Sequence, residues 1–276
     1  MPELPEVETM RTDLQKHILH LKIEDIFIYD HRVIKDILPA VFIRKLKGRK
    51  FLSVERRGKG LILALDNGTY LLIQVKMTGY FVYGSNLKEN ENSKETKVIF
   101  RLSNGMFLNY NDHRLFGKLS LLNCLGDAPY LATIGPEPLG DQFTVDWLYD
   151  QLMKKTSPIK PLLMNQRFIA GIGNIYASEI LFSAGLHPAT PAKNLTKAQA
   201  ERIHQSTLKI LNEAIKFRGT SMRNYRDSSG EKGKFKDRIK VYGKENEQCP
   251  TCSRSIKRIV QAQRSTFFCD HCQNKN

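Results

Sequence analysis

Four cysteines near the end of the chain constrain it more than any other feature. Cys249, Cys252, Cys269 and Cys272 form a C-x2-C-x16-C-x2-C pattern within the last 28 residues. Four thiolates at this spacing can surround Zn2+ tetrahedrally, each pair making a tight knuckle and the interval between the pairs returning as a hairpin. Disulfides do not suit a reducing compartment, and a redox CxxC needs only one pair, in a βαβ context that this segment lacks. One structural zinc is therefore expected. The interval also carries Lys257, Arg258 and Arg264 beside Phe267 and Phe268. Such a ribbon can read a nucleic-acid groove or backbone, or it can be a clip that only stabilises a terminus. The fifth cysteine, Cys124, stands alone in an apolar stretch and is expected to pack as a small hydrophobe.

Charge narrows the class of partner. Lys and Arg number 43 against 28 Asp and Glu, a net charge of +15 over 276 residues. An excess of this size concentrates polyanions and favours release of counterions from phosphates, although a merely Lys-rich enzyme would show it too. No apolar run approaches the ~20 residues of a membrane span, and the N-terminus lacks the layout of a secretory signal. No membrane partner is expected, and the expected location is the cytoplasm.

Periodicity divides the chain. Leu4, Val7, Met10, Leu14 and Ile18 recur at helical spacing, so residues 2–18 read as a helix, with Pro2 and Pro5 tolerable in its first turn. Short β-rich segments follow at 61–65, 70–75, 98–102, 106–110 and 119–122, with Asn67-Gly68 and Asn104-Gly105 as hairpin turns between pairs of them. No helical crossovers separate these strands, so an antiparallel sandwich is expected. Residues 85–97 are polar and read as a loop, and GPEPLG at 135–140 reads as a linker. Helical patterns then appear at 144–155, 174–184 and 196–217, with a short turn near 160–165. The stretch 218–240 holds eight Lys or Arg against three Asp or Glu and reads as a basic loop.

Two further motifs carry chemistry. In GIGNIYASEILF (171–182) the glycines allow close backbone approach, and Asn174 stands where a helix N-cap would be. A helix start of this kind can bind phosphate, or it can be an ordinary loop ahead of a core helix. Its glycines do not match the dinucleotide or P-loop patterns, so no nucleotide cofactor is expected. At the N-terminus, MPELPEVET would expose the secondary amine of Pro2 once Met1 is removed. Amines attack carbonyl-like carbons and form Schiff bases, and Glu3 and Glu6 are near enough to manage the protons. The same residues also make a capped helix start.

Taken together, these motifs resemble formamidopyrimidine-DNA glycosylase, a bacterial repair family that removes 8-oxoguanine and ring-opened purines. The resemblance spans PELPEVET, RRGKGLILAL (56–65), MTG (77–79), NDHRLFG (111–117), GIGNIYASEILFSAGLHP (171–188), KVYG (240–243) and the terminal cysteines. The PELPE start is similar to this branch and differs from the PEGPE typical of the endonuclease VIII branch.

The resemblance implies an α+β fold: an N-terminal helix plus antiparallel β-sandwich (2–134), a linker (135–141), a helical DNA-binding domain containing a helix-two-turn-helix motif (142–243), and a zinc-finger β-hairpin (244–276). It implies a bifunctional glycosylase and abasic-site lyase acting on damaged double-stranded DNA, monomeric and nucleoid-associated. Pro2 would be the nucleophile, Glu3 and Glu6 its acid–base partners, and Lys59 a general acid or phosphate ligand. Arg264, Lys160 and Asn174 would hold phosphates of the DNA. Met77, Arg114 and Phe116 would fill the space left by the extruded nucleotide. The basic stretch 218–240, with Thr220, Ser221 and the DNA-binding Tyr242, would cap the oxidised base. Departures from the family pattern are Lys76, Lys97 in place of a common histidine, and Leu115 in place of a second arginine. The lysines keep positive charge for DNA, whereas Leu115 bears on opposite-base preference.

Overall fold

The computed structural model describes residues 1–85, 94–221 and 233–274. The middle of the polar stretch 85–97 and of the basic stretch 218–240 lies outside the described residues. The chain forms two compact units: Met1–Ala132 with Phe217–Lys236, and Thr133–Lys216 with Asp237–Asn276. The described parts of 218–240 are thus shared between the units. Among the described residues no helix is long and apolar enough to cross a membrane.

In the first unit, helix α1 (Leu4–Ile18) begins after an extended Glu3, with Pro5 in the first turn where no backbone N–H is needed. Its apolar positions Leu4, Val7, Met10, Leu14 and Ile18 are all buried. Two sheets follow. The four-stranded sheet has the order β1 (Ile23–Ile28), β7 (Thr96–Leu102), β8 (Phe107–Asp112), β6 (Gly79–Gly84). The five-stranded sheet has the order β2 (Ile34–Lys35), β9 (Lys118–Leu122), β5 (Tyr70–Gln74), β4 (Gly60–Leu65), β3 (Phe51–Arg57). Both contribute to one core, where Phe81, Phe100 and Tyr110 meet Val54, Leu63, Ile73 and Leu119 together with α1 and Phe42 of helix α2 (Pro39–Leu46). The sandwich is antiparallel as expected, save that the two-residue β2 runs parallel to β9. The outer face of the five-stranded sheet is also covered, by Ala128, Tyr130 and Leu131 against Ile62 and Leu72. That explains why β4 reads as a continuous apolar run and not as an alternating one.

Both expected Asn-Gly hairpins form. Gly68 and Gly105 adopt φ of +79° and +80°, while Asn67 and Asn104 fold their side-chain oxygens onto the N–H groups of Thr69 and Met106. Cys124 departs from expectation. It is exposed, because β9 ends at Leu122 and the chain turns outward into a 3-10 turn at Leu125–Asp127.

The second unit is helical. After the short helix α3 (Pro129–Thr133), which leads into it, come α4 (Val145–Met153), α5 (Ile159–Leu163), α6 (Asn174–Ser183) and α7 (Lys197–Lys216). Thr144 caps α4 by accepting from Trp147 N. Helix α6 is buried from Ile175 to Phe182, so it is the central helix and needs no polar face. Helix α7 is amphipathic and buries Ala200, Ile203, Ile210, Leu211 and Ala214. Strands β10 (Lys257–Gln261) and β11 (Arg264–Phe268) form the expected hairpin between the cysteine pairs. Ala262 and Gln263 at its tip both have left-handed φ, of +45° and +59°.

Candidate active site and nucleic-acid interface

The first unit gathers the N-terminal candidates. Pro2 is buried, and Glu3 and Glu6 are 4% and 1% exposed. Glu6 fixes the backbone on two sides: Oε2 accepts from Glu3 N at 2.7 Å and Oε1 from Thr220 N at 2.7 Å. Gly219 must be glycine here, since its φ is +76° and a Cβ would lie 2.6 Å from Glu6 Oε1. Burial lowers the proton affinity of the Met1 amino group; Glu3 and Glu6 oppose this, and Lys59 and Arg114 reinforce it. The start of the chain therefore shares one electrostatic neighbourhood with Glu3, Glu6, Lys59 and Arg114 while Met1 is still attached.

Lys59 sits in the tight β3–β4 turn, where Gly58 takes φ +58°. Tyr130 clamps that turn: its Oη accepts from Lys59 N at 2.9 Å and donates to Arg57 O at 3.1 Å. No sequence signal pointed to Tyr130, because the contact spans some seventy residues. Gly60, Gln74 and Lys118 are register neighbours across β4, β5 and β9, which brings three lysines to one end of the sheet. Burial, then Lys118, then Lys59 hold the Lys76 amine below its usual range.

Met77, Arg114 and Phe116 also come together. Arg114 Nη1 lies 3.5 Å from Met77 Sδ, and its guanidinium stacks 4.5 Å from the centre of the Phe116 ring. Phe116 remains 46% exposed, unusual for a large apolar ring. Lys97 is not brought into this group: it is buried in β7, and its Nζ donates to Lys94 O at 2.5 Å.

In the segment where a base-capping role was expected, Thr220 and Ser221 are buried. Thr220 bridges Lys234, Ser221 Oγ accepts from Gly233 N at 2.8 Å, and Arg218 Nη2 pairs with Asp13 at 2.7 Å. These contacts pin both ends of the segment.

The second unit holds the other group. Lys160 is 1% exposed, and its Nζ donates to Asn174 Oδ1 at 2.5 Å, Thr266 Oγ1 at 2.8 Å and Ser265 O at 3.2 Å. It lies beneath the surface as a stitch between α5, α6 and β11. Asn174 is the first residue of α6 and Gly173 its N-cap. The Asn174 side chain turns from the capping position expected of it to donate to Ser265 O at 3.1 Å and, more distantly, to Tyr242 Oη at 3.5 Å. The Tyr242 ring meets Phe267 edge-on at 5.3 Å. Glu179, another residue without a sequence signal, accepts from the N–H groups of Lys240, Val241 and Tyr242 at 2.8, 3.0 and 2.9 Å. Burial pushes the Glu179 carboxyl up, against the pull of these amides. Arg264 is exposed at the hairpin turn.

The four cysteine sulfurs lie within 4.8 Å of one another, with Cys252–Cys269 at 3.4 Å and Cys249–Cys272 at 3.8 Å. A zinc tetrahedron with bonds of ~2.3 Å has S···S edges of about 3.8 Å, so the donor set fits the metal. Gln273, fully buried, joins this module to the helices by donating to Leu186 O at 2.9 Å and accepting from Cys269 N at 2.9 Å. Cys249, Cys252, Cys269 and Cys272 form a site for one structural zinc.

Comparison with known proteins agrees with this arrangement. Residues 1–119 match the formamidopyrimidine-DNA glycosylase N-terminal domain. Residues 134–226 match the formamidopyrimidine-DNA glycosylase H2TH domain, and residues 246–275 match the zinc finger found in FPG and IleRS. The formamidopyrimidine-DNA glycosylase of Desulfitobacterium hafniense (strain DSM 10664 / DCB-2) is 42% identical over 99% of this chain and 100% of its own length. The one from Chloroflexus aggregans is 40% identical over 99% of this chain and 98% of its own. Among solved structures, the MutM (Fpg) protein of Thermus thermophilus is 36% identical with a TM-score of 0.88, each chain covered completely. Lactococcus lactis Fpg, solved with abasic-site DNA, is 34% identical with a TM-score of 0.91 over 99% of this chain and 100% of its own. The helix, the sandwich, the H2TH region and the zinc hairpin are those of one family, and this chain belongs to the formamidopyrimidine-DNA glycosylase family.

Proposed function

We propose that this chain excises oxidised purines from duplex DNA and cleaves the resulting abasic site, using Pro2 as the nucleophile after removal of Met1. The observation that carries the proposal is the burial of Pro2 beside Glu3 and Glu6, with Glu6 Oε2 accepting from Glu3 N at 2.7 Å; the Met1 amino group one residue away already feels Glu3, Glu6 and Lys59. Binding alone would need neither a proline buried at the second position nor two buried acids beside it. A secondary amine attacks C1′ of the damaged nucleoside, the C1′–base bond breaks, and the base leaves as it takes up a proton. Glu3 delivers a proton to the ring oxygen as the sugar opens, leaving an iminium at C1′. That cation acidifies C2′–H; loss of the proton expels the 3′ phosphate, and a second elimination expels the 5′ phosphate. Water then hydrolyses the iminium and frees the amine.

C1′ is reached only if the nucleotide leaves the stack. Met77, Arg114 and Phe116 supply the wedge, with Arg114 turned to the orphaned base. In the second unit Arg264 and Asn174 face the phosphates, and Lys160 holds Asn174 and the β11 backbone at Ser265 from below. The names and titles of the relatives support this reading: Lactococcus lactis Fpg variants were solved with Fapy-dG DNA.

Borohydride reduction during reaction with an 8-oxoguanine duplex tests the proposal. A covalent adduct mapping to Pro2 is expected. Pro2→Gly should abolish most excision while keeping duplex affinity within about tenfold. Tight binding with no adduct would instead make the chain a non-catalytic damage-binding protein.

A further inference from the structure

One buried carboxylate joins the two turns that carry Met77 and the Arg114–Phe116 pair. Asp112, fully buried at the end of β8, accepts through Oδ1 from Thr78 Oγ1 at 2.5 Å and from Arg114 N at 3.1 Å. Its Oδ2 accepts from Gly117 N at 2.6 Å. Thr78 Oγ1 closes the ring by accepting from Arg114 N at 3.1 Å. One hydroxyl and one carboxylate thus tie residue 78, next to Met77, to both ends of the 114–117 turn.

The packing leaves this tie little room. A Cβ on Gly117 would stand 1.7 Å from Tyr110 Oη, and one on Gly79 would stand 2.7 Å from the same oxygen. Both turns therefore close on the buried Tyr110 ring. Leu115, at φ +58°, packs against the sandwich core as a partly buried residue. Position 115 thus carries an apolar anchor, and Arg114 is the arginine of this turn, stacked on Phe116.

We propose that Thr78 and Asp112 form a latch that makes the two turns one rigid wedge, so that Met77, Arg114 and Phe116 enter a duplex as a unit. They are positioning residues for opposite-base discrimination. The inference rests on the lesion-excising reading above. A preorganised wedge loses less side-chain and loop freedom on insertion than two independent turns. With a single arginine, discrimination depends on where the latch holds Arg114 N.

The test uses the full-length, zinc-loaded protein and a duplex with 2-aminopurine beside an abasic analogue, whose fluorescence rises when the step is unstacked. At saturating protein, Thr78→Val should reduce the fluorescence gain of the parent at least threefold, and Thr78→Ser should restore it to within twofold. Asp112→Asn, which keeps the shape but weakens the bonds, should also reduce it. The ratio of single-turnover excision opposite dC to that opposite dA should fall at least fivefold in Thr78→Val and recover in Thr78→Ser. An unchanged gain in folded Thr78→Val or folded Asp112→Asn overturns the latch, as does a Thr78→Val defect that Thr78→Ser fails to rescue. If the parent inserts its wedge but excises nothing, the enzymatic reading fails while the latch stands.

Discussion

Glu6 and Glu179 are both 1% exposed, and each unit uses one of these buried glutamates to hold a stretch of backbone, but in different electrical settings. Glu6 ties the start of α1 to Thr220 within reach of the terminal amine. Glu179 receives three successive amides, from Lys240 to Tyr242, and burial raises its pKa in spite of them. On the proposed reading the first carboxylate stands beside the reacting amine and the second supports the Lys240–Tyr242 backbone. A carboxylate that positions backbone is not evidence of catalysis by itself; only Glu6 also acts on the amino group of the chain.

The largest expected effect falls on the second unit. Chelating the zinc should forfeit a binding free energy on the order of 10 kcal/mol that is coupled to local folding. Hydrogen exchange should show β10–β11 losing protection, and duplex affinity should fall at least 100-fold. Metal analysis of the untreated protein should return one zinc per chain. Retained protection and affinity after complete removal would place the binding determinants elsewhere.

Next come Glu6→Gln and Glu179→Gln. Each puts an amide NH2 against a backbone N–H and should cost about 1–3 kcal/mol, read as a lowered melting point. Their functions should separate. Glu6→Gln is expected to suppress the borohydride adduct more than tenfold even with DNA saturating. Glu179→Gln should mainly weaken duplex binding, with adduct yield at saturation within threefold. Equal loss of adduct in both would erase the distinction drawn between the two carboxylates.

Gly219→Ala probes the same support from the opposite side. A left-handed alanine costs roughly 1–2 kcal/mol, and the close approach to Glu6 adds to it, so melting and adduct yield should both drop.

The smallest effect is a pH dependence. Because the folded-state pKa of Glu179 is raised, the fold favours its protonated form. Its contribution is full below the ordinary value near 4.5 and is lost as pH rises through the raised value. The stability difference between the parent and Glu179→Gln should change across that window and flatten outside it. A difference independent of pH would mean that burial does not perturb the carboxyl.

Local features were legible in the sequence, and long-range ones were not. The zinc hairpin could be read because four ligands and their spacing lie within one short segment. Strands β4, β5, β7, β8 and β9 showed through their apolar runs and Asn-Gly turns. Strands β1 and β3 escaped because each buries only part of one face: IEDIFI and FLSVERR carry charges outward. The N-terminal residues could be named, but Thr220 lies some two hundred residues from Glu6, and no periodicity links them. Lys160 reads as a surface cation until three oxygens are found around it. Cys124 failed the opposite way, since an apolar neighbourhood in sequence is not burial in space.

The clasp around residues 217–221 and 233–235 has a modular consequence. Thr220 bridges Lys234, Lys234 N donates to Phe217 O and Phe235 N to Gly219 O, so the two ends meet whatever joins them. Glu6 accepts from Thr220 N inside this clasp, so the support beneath the start of the chain is closed by backbone pairing at 217–221 and 233–235. Replacing residues 222–232 with the matching stretch of a relative is therefore expected to leave the clasp and Glu6 in place, read as an unchanged melting point.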